Sequence, residues 1–441
     1  MSWLRNPGST TSIKNLRDAS RYLYTASPHY KRLCDYFALL NCLFFTLVPD
    51  RLDISNVDIE SYKTQYKKVA DFVEIMNIRN TFQRISQVCV REDVFYGYIY
   101  QTKDSFYIKQ MPSDYCTISS ITDGCFSYAF DFSYFRQNQD KLEMYGQDFI
   151  SKYNLYLQDT TNNRWQEPDD KYQICLKFNE SVEYPLIPFS GVFDGIYNIQ
   201  DYKDLSKAKD EIEIYKAIAL KIPLDSEGQL TLPKELLDDY FRALSGILPE
   251  EIGAFQTPAE IDSISFDKSG TKEINKIENA QDEFWSAAGV SSNIFTSNTQ
   301  SSAALTISIQ ADELISFAFG RQIERNINKI LRQQSSKYKF KVIMLDVSQF
   351  NKREMHDMYL KDSQSSLPTK SMACATMGMT PNDIISTNWL EENIIGFSNF
   401  KPLSSAHTQS GEGGRPLAED VGETVGDAGT QTREDETNSN R

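Results

Sequence analysis

Residues 268–331 have the sequence KSGTKEINKIENAQDEFWSAAGVSSNIFTSNTQSSAALTISIQADELISFAFGRQIERNINKIL. Apolar residues recur at spacings of three and four on both sides of a polar segment, which predicts a helix, a loop and a longer helix. Gly289 marks the end of the first helix, and the loop supplies capping residues. The loop also holds two large apolar residues, Ile294 and Phe295, so it is either an ordinary surface loop of a helical hairpin or a functional element.

The second helix of this segment contains apolar residues at every fourth position. These residues predict the stripe by which the helix is buried in the fold. The stripe consists of Ile307, Ala311, Ile315, Phe319, Ile323, Ile327 and Leu331.

The whole chain is acidic, with 441 residues and a net charge of −15. Its length allows two or three domains. A freely diffusing protein that reads DNA sequence is normally basic, so that class is disfavoured. The seven cysteines show no CxxC or other metal-ligand spacing and are expected to be buried free thiols.

Neither a signal peptide nor a membrane span is expected. The first residues, MSWLRNPGSTTS, contain no apolar core of the kind that a signal peptide requires. The most apolar run, residues 36–48, is too short to cross a bilayer and predicts a buried helix.

The remaining segments alternate between helical and strand-like periods. Residues 1–20 are polar and predict a flexible arm. Residues 93–132 contain Tyr- and Phe-rich runs separated by short polar breaks, which predict an antiparallel meander. Residues 202–222 predict one long helix that Pro223 ends. Residues 401–441 are rich in Gly, Glu, Asp, Thr and Ser and predict a disordered acidic tail.

No local motif indicates catalysis. The three histidines, His29, His356 and His407, are far apart in the sequence, and neither a phosphate-binding GxxxxGK[ST] loop nor an HExxH motif is present. The sequence therefore predicts no enzyme, no catalytic residue, no metal and no cofactor.

The order of these segments resembles the portal proteins of tailed bacteriophages, the head–tail connectors. Residues 279–331 show the resemblance best: a helix ends near Ala-Gly-Val, a short loop follows, and a long helix begins with small residues. The segments YLYTASPHYKRLCDYFALL, KIPLDSEGQL and LPTKSMACATMGMTPNDIISTNWLEENIIG extend it over about residues 20–397.

The resemblance implies a helix-rich α+β fold that assembles as a ring, usually of twelve copies, around a channel for double-stranded DNA. It assigns residues 1–20 to a flexible arm, 21–201 to an α/β wing domain, 202–222 and 268–288 to two stem helices, 223–267 to a small α/β clip, 289–301 to a channel loop, 302–365 to a long wing helix with a returning strand and helix, 366–400 to a short helical crown and 401–441 to the tail.

The resemblance also implies three sets of site residues. The channel loop comprises Val290, Ser291, Ser292, Asn293, Ile294, Phe295, Thr296, Ser297 and Asn298, with Ile294 or Phe295 at its tip. The candidate channel-facing cations are Lys207, Lys209, Lys216, Lys272 and Lys276. The candidate docking residues of the clip are Asp225, Glu227, Glu235, Asp238, Asp239, Glu250 and Glu251.

The implied function is a DNA conduit at one capsid vertex that nucleates head assembly. Its expected partners are further copies of the chain, double-stranded DNA bound without sequence specificity, the terminase large subunit, the major capsid and scaffolding proteins and the head–tail adaptor. The expected location is the virion, after synthesis in the host bacterial cytoplasm, with no membrane partner. The alternative is another oligomeric virion structural, scaffold or adaptor protein without a DNA channel, and an enzyme of the packaging machinery ranks third.

Overall fold

A computed structural model describes residues 9–182, 184–214, 216–221, 231–247, 252–257, 270–295, 302–334 and 337–396. The described residues form a helix-rich fold with smaller sheets, so the α+β prediction is confirmed. The chain divides into one unit of Met1–Ile384 and a second of Ile385–Arg441. The hydrophobic clusters of the described chain lie in the first unit.

Twelve α-helices occur in the described residues. They are α1 (Thr10–Ala26), α2 (Pro28–Leu40), α3 (Ile59–Met76), α4 (Ile78–Glu92), α5 (Gln147–Gln158), α6 (Phe193–Ile214), α7 (Lys234–Ile247), α8 (Gly270–Ala287), α9 (Ser302–Gln333), α10 (Lys352–Gln364), α11 (Lys370–Thr376) and α12 (Pro381–Leu390).

Ten strands form three sheets in the same residues. They are β1 (Phe45–Asp50), β2 (Val94–Gln101), β3 (Phe106–Gln110), β4 (Cys116–Thr122), β5 (Cys125–Asp131), β6 (Trp165–Gln166), β7 (Gln173–Lys177), β8 (Lys216–Lys221), β9 (Ile252–Thr257) and β10 (Lys339–Met344). The largest sheet has the order β3-β2-β7-β5-β4, with β6 paired to β5. The four strands predicted over residues 93–132 are present, but they do not form a meander, because β7 pairs between β2 and β5 and leaves β3 and β4 at opposite edges. The pairs β1–β10 and β8–β9 form the two small sheets.

The amino-terminal arm was expected to be flexible over residues 1–20, and this prediction is wrong from residue 10 onward. The Ser9 side chain accepts a hydrogen bond from the backbone N–H of Ser12 and so caps α1. Leu16 and Leu23, seven residues apart on one helix face, are buried in a cluster with Leu33 of α2. This burial holds the polar segment in place as a helix.

Residues 36–48 were expected to form one buried helix, but they are half helix and half strand. The Asn41 side chain accepts a hydrogen bond from the N–H of Leu43, whose φ is +52°, and the chain turns there. From Phe45 the chain forms β1, in which Leu47 pairs with Val342 of β10. Aromatic and β-branched residues favour this extended conformation.

The predicted helix over residues 202–222 is shifted toward the amino terminus. Helix α6 begins at Phe193 and ends at Ile214, and residues 216–221 form β8 instead. This strand pairs in parallel with β9, and α7 lies between the two in the chain, as in a β–α–β unit. The periodicity of residues 215–222 fits a helix as well, so strand pairing overrides the local preference.

The carboxy-terminal half of α9 lies in the main hydrophobic core. Ile323 and Ile327 are fully buried beside the β1–β10 pair. Asn328 completes the free edge of β10: its side chain accepts a 2.8 Å bond from the Val342 N–H and donates a 2.9 Å bond to the Val342 carbonyl. A long helix thus covers an edge that would otherwise be open to further pairing.

Candidate functional site

The loop after α8 begins with a glycine-dependent helix end. Gly289 has a φ of +77°, and the N–H of Val290 donates a 3.1 Å bond to the Trp285 carbonyl. The Gly289 N–H donates to the Ser286 carbonyl at 3.0 Å. This pair of bonds is the Schellman arrangement, in which a left-handed residue satisfies the last helix carbonyls. The predicted role of Gly289 as a helix end is therefore confirmed.

Phe295 is packed against neighbouring side chains. Its ring stacks on the Trp285 ring of α8, with 4.0 Å between centroids and 17° between planes. Tyr36 of α2 meets the same ring edge-on at 5.4 Å, and the Arg32 guanidinium lies 5.8 Å from its centroid. Aromatic contacts of this kind hold Phe295 against two helices, and the position of Ile294 or Phe295 at the tip of the loop stays a prediction.

The other described loop residues are also wholly or partly buried. Val290 is buried, and Ser292–Ile294 form a 3-10 turn. Ser291, Ser292, Asn293 and Ile294 are half-buried. The predicted loop residues Thr296, Ser297 and Asn298 lie outside the described residues. The first half of the loop is therefore part of the core between α8 and α2.

The predicted channel cations fall on three different elements. Lys207 of α6 and Lys276 of α8 are exposed on the predicted stem pair, in which the two helices pack together. Lys209 of α6 and Lys272 of α8 have side chains outside the described set. Lys216 lies on β8, not on a stem helix, so its predicted position is wrong for the reason given for that strand.

Three of the predicted clip acids are described, all on α7. Glu235 and Asp239 are exposed, Asp238 is half-buried, and Asp239 lies 3.9 Å from Arg242. The remaining predicted acids, Asp225, Glu227, Glu250 and Glu251, lie outside the described residues.

A groove runs between α2 and the amino-terminal half of α9, and we call it the α2–α9 groove. Its volume is about 440 Å³. Its apolar lining includes Leu39, Ile294, Phe295, Leu305, Ile309 and Phe350. The anchored part of the loop therefore forms one wall of an open apolar site.

Two adjacent buried acids lie on the α9 side that faces α2 and the 348–351 turn. Asp312 and Glu313 are only 3% and 6% exposed. Asp312 accepts a 2.9 Å hydrogen bond from the Tyr36 hydroxyl, and Glu313 accepts one from the Ser348 hydroxyl. Burial, together with the Glu313 charge, raises the pKa of Asp312 to about 6, although the Tyr36 bond opposes this shift.

The predicted stripe is buried from Phe319 to Leu331, but its amino-terminal part lies on the outer face, so the two acids were not expected on the inner one. Ile307, Ala311 and Ile315 were predicted to be buried, but all three are exposed. A spacing of four advances about 40° around a helix at each step, so the predicted stripe drifts to the opposite face. The observed inner face contains Leu305, Ile309, Asp312 and Ser316, whose spacings of three and four were the available signal.

Other kinds of site receive little support from the described part of the chain. No group of three His, Cys, Asp or Glu side chains there is arranged to hold a metal ion. The seven cysteines are free, five of them buried, and Cys116 and Cys374 are half-buried. No described helix is both long and apolar enough to cross a membrane.

Comparison with solved structures finds, among others, two chains of gene transfer agent particles. One is a chain in the neck of an empty gene transfer agent (GTA) particle, with a TM-score of 0.45, 11% identity, and coverage of 79% of this chain and 94% of the other. The second is a chain in the virion of a native gene transfer agent particle, with a TM-score of 0.41, 10% identity, and coverage of 83% and 94%. No family model and no curated protein matches the chain.

Proposed function

We propose that this chain is a portal-type virion protein, a ring subunit whose central channel carries double-stranded DNA into and out of a capsid. The order of elements from α6 to α9 carries the proposal. Two packed helices, α6 and α8, bracket a small β–α–β unit, and a loop then leads into the 32-residue helix α9. The segments that resemble portal proteins in sequence include the loop and both helices beside it.

In the proposed ring, α6 and α8 form the channel wall. Their exposed Lys207 and Lys276 lie among exposed acids such as Asp204 and Glu278. Each neutralised phosphate adds salt-dependent affinity, so a surface of mixed charge lets DNA slide where a basic one would hold it. Ile294 and residues 296–301 are the remaining candidates for the narrowest point, because Phe295 is anchored to Trp285.

The β–α–β unit is the proposed docking site for the terminase motor and the head–tail adaptor. Helix α7 presents two exposed acids, Glu235 and Asp239, beside exposed Leu236 and Tyr240. Acidic groups around an aromatic residue fit a basic partner surface. Capsid and scaffolding proteins complete the proposed set of partners.

The first test is an image of the purified protein by negative-stain electron microscopy. We expect rings with a central hole wide enough for a DNA duplex. Particles without a hole would leave the alternative of a scaffold or adaptor protein, and DNA conduction would be abandoned.

The second test addresses the loop. Deletion of residues 296–300 spares the Trp285–Phe295 stack, so rings should still form. DNA packaging into particles should fall strongly. Normal packaging by the deletion variant would exclude the loop as a channel element.

A further inference from the structure

The amino-terminal half of α9 is amphipathic, but the burial of its two faces is the reverse of the usual arrangement. Its charged residues, Asp312 and Glu313, are buried, and its outward face is apolar. Ile307 and Leu314 on that face are 67% and 68% exposed. We call this face the α9 stripe, and its exposed members are Ala303, Ala304, Ile307, Ala311, Leu314, Ile315 and Ala318.

The sequence on both sides of the stripe also has few charged residues. In a chain in which 24% of residues are charged, the sequence contains no charged residue from position 284 to 311, and none between Glu313 and Arg321. Contiguous exposed apolar surface of this kind marks an interaction site. Burial of the two acids leaves that surface without any charge.

The missing charge restricts the type of partner. A nucleic acid requires cations to neutralise its phosphates, and the stripe has none. A helix that lies on a membrane presents a basic polar face to water, whereas the polar face of α9 bonds to Tyr36 and Ser348 inside the fold. A protein surface remains, of the apolar, charge-depleted type found in permanent assemblies.

The net charge of −15 favours a second copy of this chain as that protein. Two acidic copies that meet through average surfaces would bring carboxylates together, and the resulting repulsion would oppose assembly. The stripe avoids this repulsion, because its acids are turned inward. An uncharged contact surface is thus what self-association of an acidic chain requires.

The same helix offers a receptor for the stripe. Leu305 and Ile309 line the α2–α9 groove. Leu305 and Leu314 are nine residues apart and therefore project about 180° from each other around the helix. Two apolar surfaces on opposite sides of one subunit permit head-to-tail contacts, which close into a ring when the rotation between neighbouring subunits divides a full turn.

We propose that the α9 stripe of one copy packs into the α2–α9 groove of the next copy, and that this contact joins the subunits of the ring. The proposal rests on the proposed function for the existence of a ring. It adds which two surfaces meet and assigns the joining contacts to Ile307 and Leu314 on one side and Phe350 on the other.

Two full-length variants test the proposal, each blocking one surface. Leu314→Arg places a charge on the stripe, and Phe350→Arg places one at the groove rim, where Phe350 is 55% exposed. Both side chains are at the surface, so the fold should persist, as circular dichroism can verify. The matched control is Ile121→Arg on the β4–β5 hairpin, where Ile121 is 64% exposed.

Mass measurement by light scattering gives the result. Wild type and Ile121→Arg should form rings, and each blocked variant should have the mass of one chain, 50.6 kDa. When the two blocked variants are mixed, the intact groove of Leu314→Arg should accept the intact stripe of Phe350→Arg and yield a dimer of twice that mass. Neither variant should dimerise alone.

Three results would overturn the proposal. Rings from either blocked variant would show that the stripe or the groove is not the contact. A mixture that stays monomeric would show that the two surfaces do not meet each other. A monomeric wild type would remove the self-association itself, whereas wild-type rings without a DNA-sized hole would remove the proposed function and leave this contact standing.

Discussion

The Asp93 carboxylate joins three segments of the core. It is fully buried, follows α4 directly, and forms an ion pair with the equally buried Lys177 of β7. Its oxygens also accept hydrogen bonds from the backbone N–H groups of Asn179, at 3.0 Å, and Leu186, at 2.9 Å. A buried carboxylate with this many donors is satisfied, and loss of its charge leaves the lysine without a partner.

Asp93→Asn is therefore expected to destabilise the fold by about 3–5 kcal/mol, the cost of an uncompensated buried charge. Asparagine keeps the shape of the side chain and tolerates the φ of +67° at this position. Denaturant unfolding of variant and wild type measures the difference. Asp170→Asn is the control, because Asp170 pairs with Lys329 at an exposed site and should contribute less than about 1 kcal/mol. A loss as small as in this control would contradict the role given to Asp93.

The raised pKa of Asp312 makes the free energy of unfolding depend on pH, and the direction of the pKa shift gives the sign of this dependence. Because burial raises its pKa in the folded state to about 6, the folded chain binds a proton more tightly than the unfolded chain does. The stabilisation that the folded chain gains from this tighter proton binding is fully present below about pH 4, the ordinary range of aspartate pKa values. It is lost as the pH rises through about 6. Over this window wild type should lose up to about 3 kcal/mol relative to Asp312→Asn, since one pKa unit corresponds to about 1.4 kcal/mol.

The measurement is the unfolding free energy of both proteins between pH 4 and pH 7. The difference between them should change in favour of Asp312→Asn as the pH rises. A constant difference would show that the Asp312 carboxyl titrates normally, and a change of opposite sign would show that folding lowers its pKa.

At the scale of elements, the end of α8 depends on one glycine. A Cβ at Gly289 would meet no atom within 4 Å, so the only cost of a side chain there is the positive φ of +77°. Gly289→Ala should destabilise the chain by about 1–2 kcal/mol, the cost of a left-handed conformation for an L-residue. Gly191→Ala is the control, because Gly191 also has open space around it and no positive φ. Equal thermal unfolding of the two variants would contradict the argument.

The elements also show what could be predicted from the sequence. The four strands between residues 94 and 131, the helix end at Gly289 and the short helices after residue 366 follow local patterns, and the structure has them. The strand at residues 216–221 could not be predicted, because its partner β9 is 36 residues further along the chain. Local periodicity carries no information about such pairing.

The candidate site was predictable in part. The sequence identified Ile294 and Phe295 as unusual, but not that Phe295 stacks on Trp285. It also could not show which face of α9 is turned outward, since an apolar residue may belong to a core or to an interface. The burial of Asp312 and Glu313 identifies the inward face of α9 within the subunit, and this burial is visible only in the tertiary structure.

For the whole molecule, the balance between net charge and the uncharged stripe determines how salt affects assembly. Copies that each carry a net charge of −15 repel one another. The groove lining includes Arg32 and Asp35, but the stripe carries no charge that could form an ion pair with them across the proposed contact. Between about 0.01 M and about 0.15 M salt the Debye length falls from about 30 Å to about 8 Å. Ring formation should therefore strengthen as salt rises over this range.

Sedimentation velocity at a fixed protein concentration measures this effect as the fraction of chain in rings. Leu314→Arg should remain a single chain at both salt concentrations, because screening removes repulsion and does not restore the apolar contact. Assembly that weakens with salt would mean that ion pairs hold the subunits together. Since the α9 stripe has no charge to offer such pairs, that result would place the subunit interface on another surface of the chain.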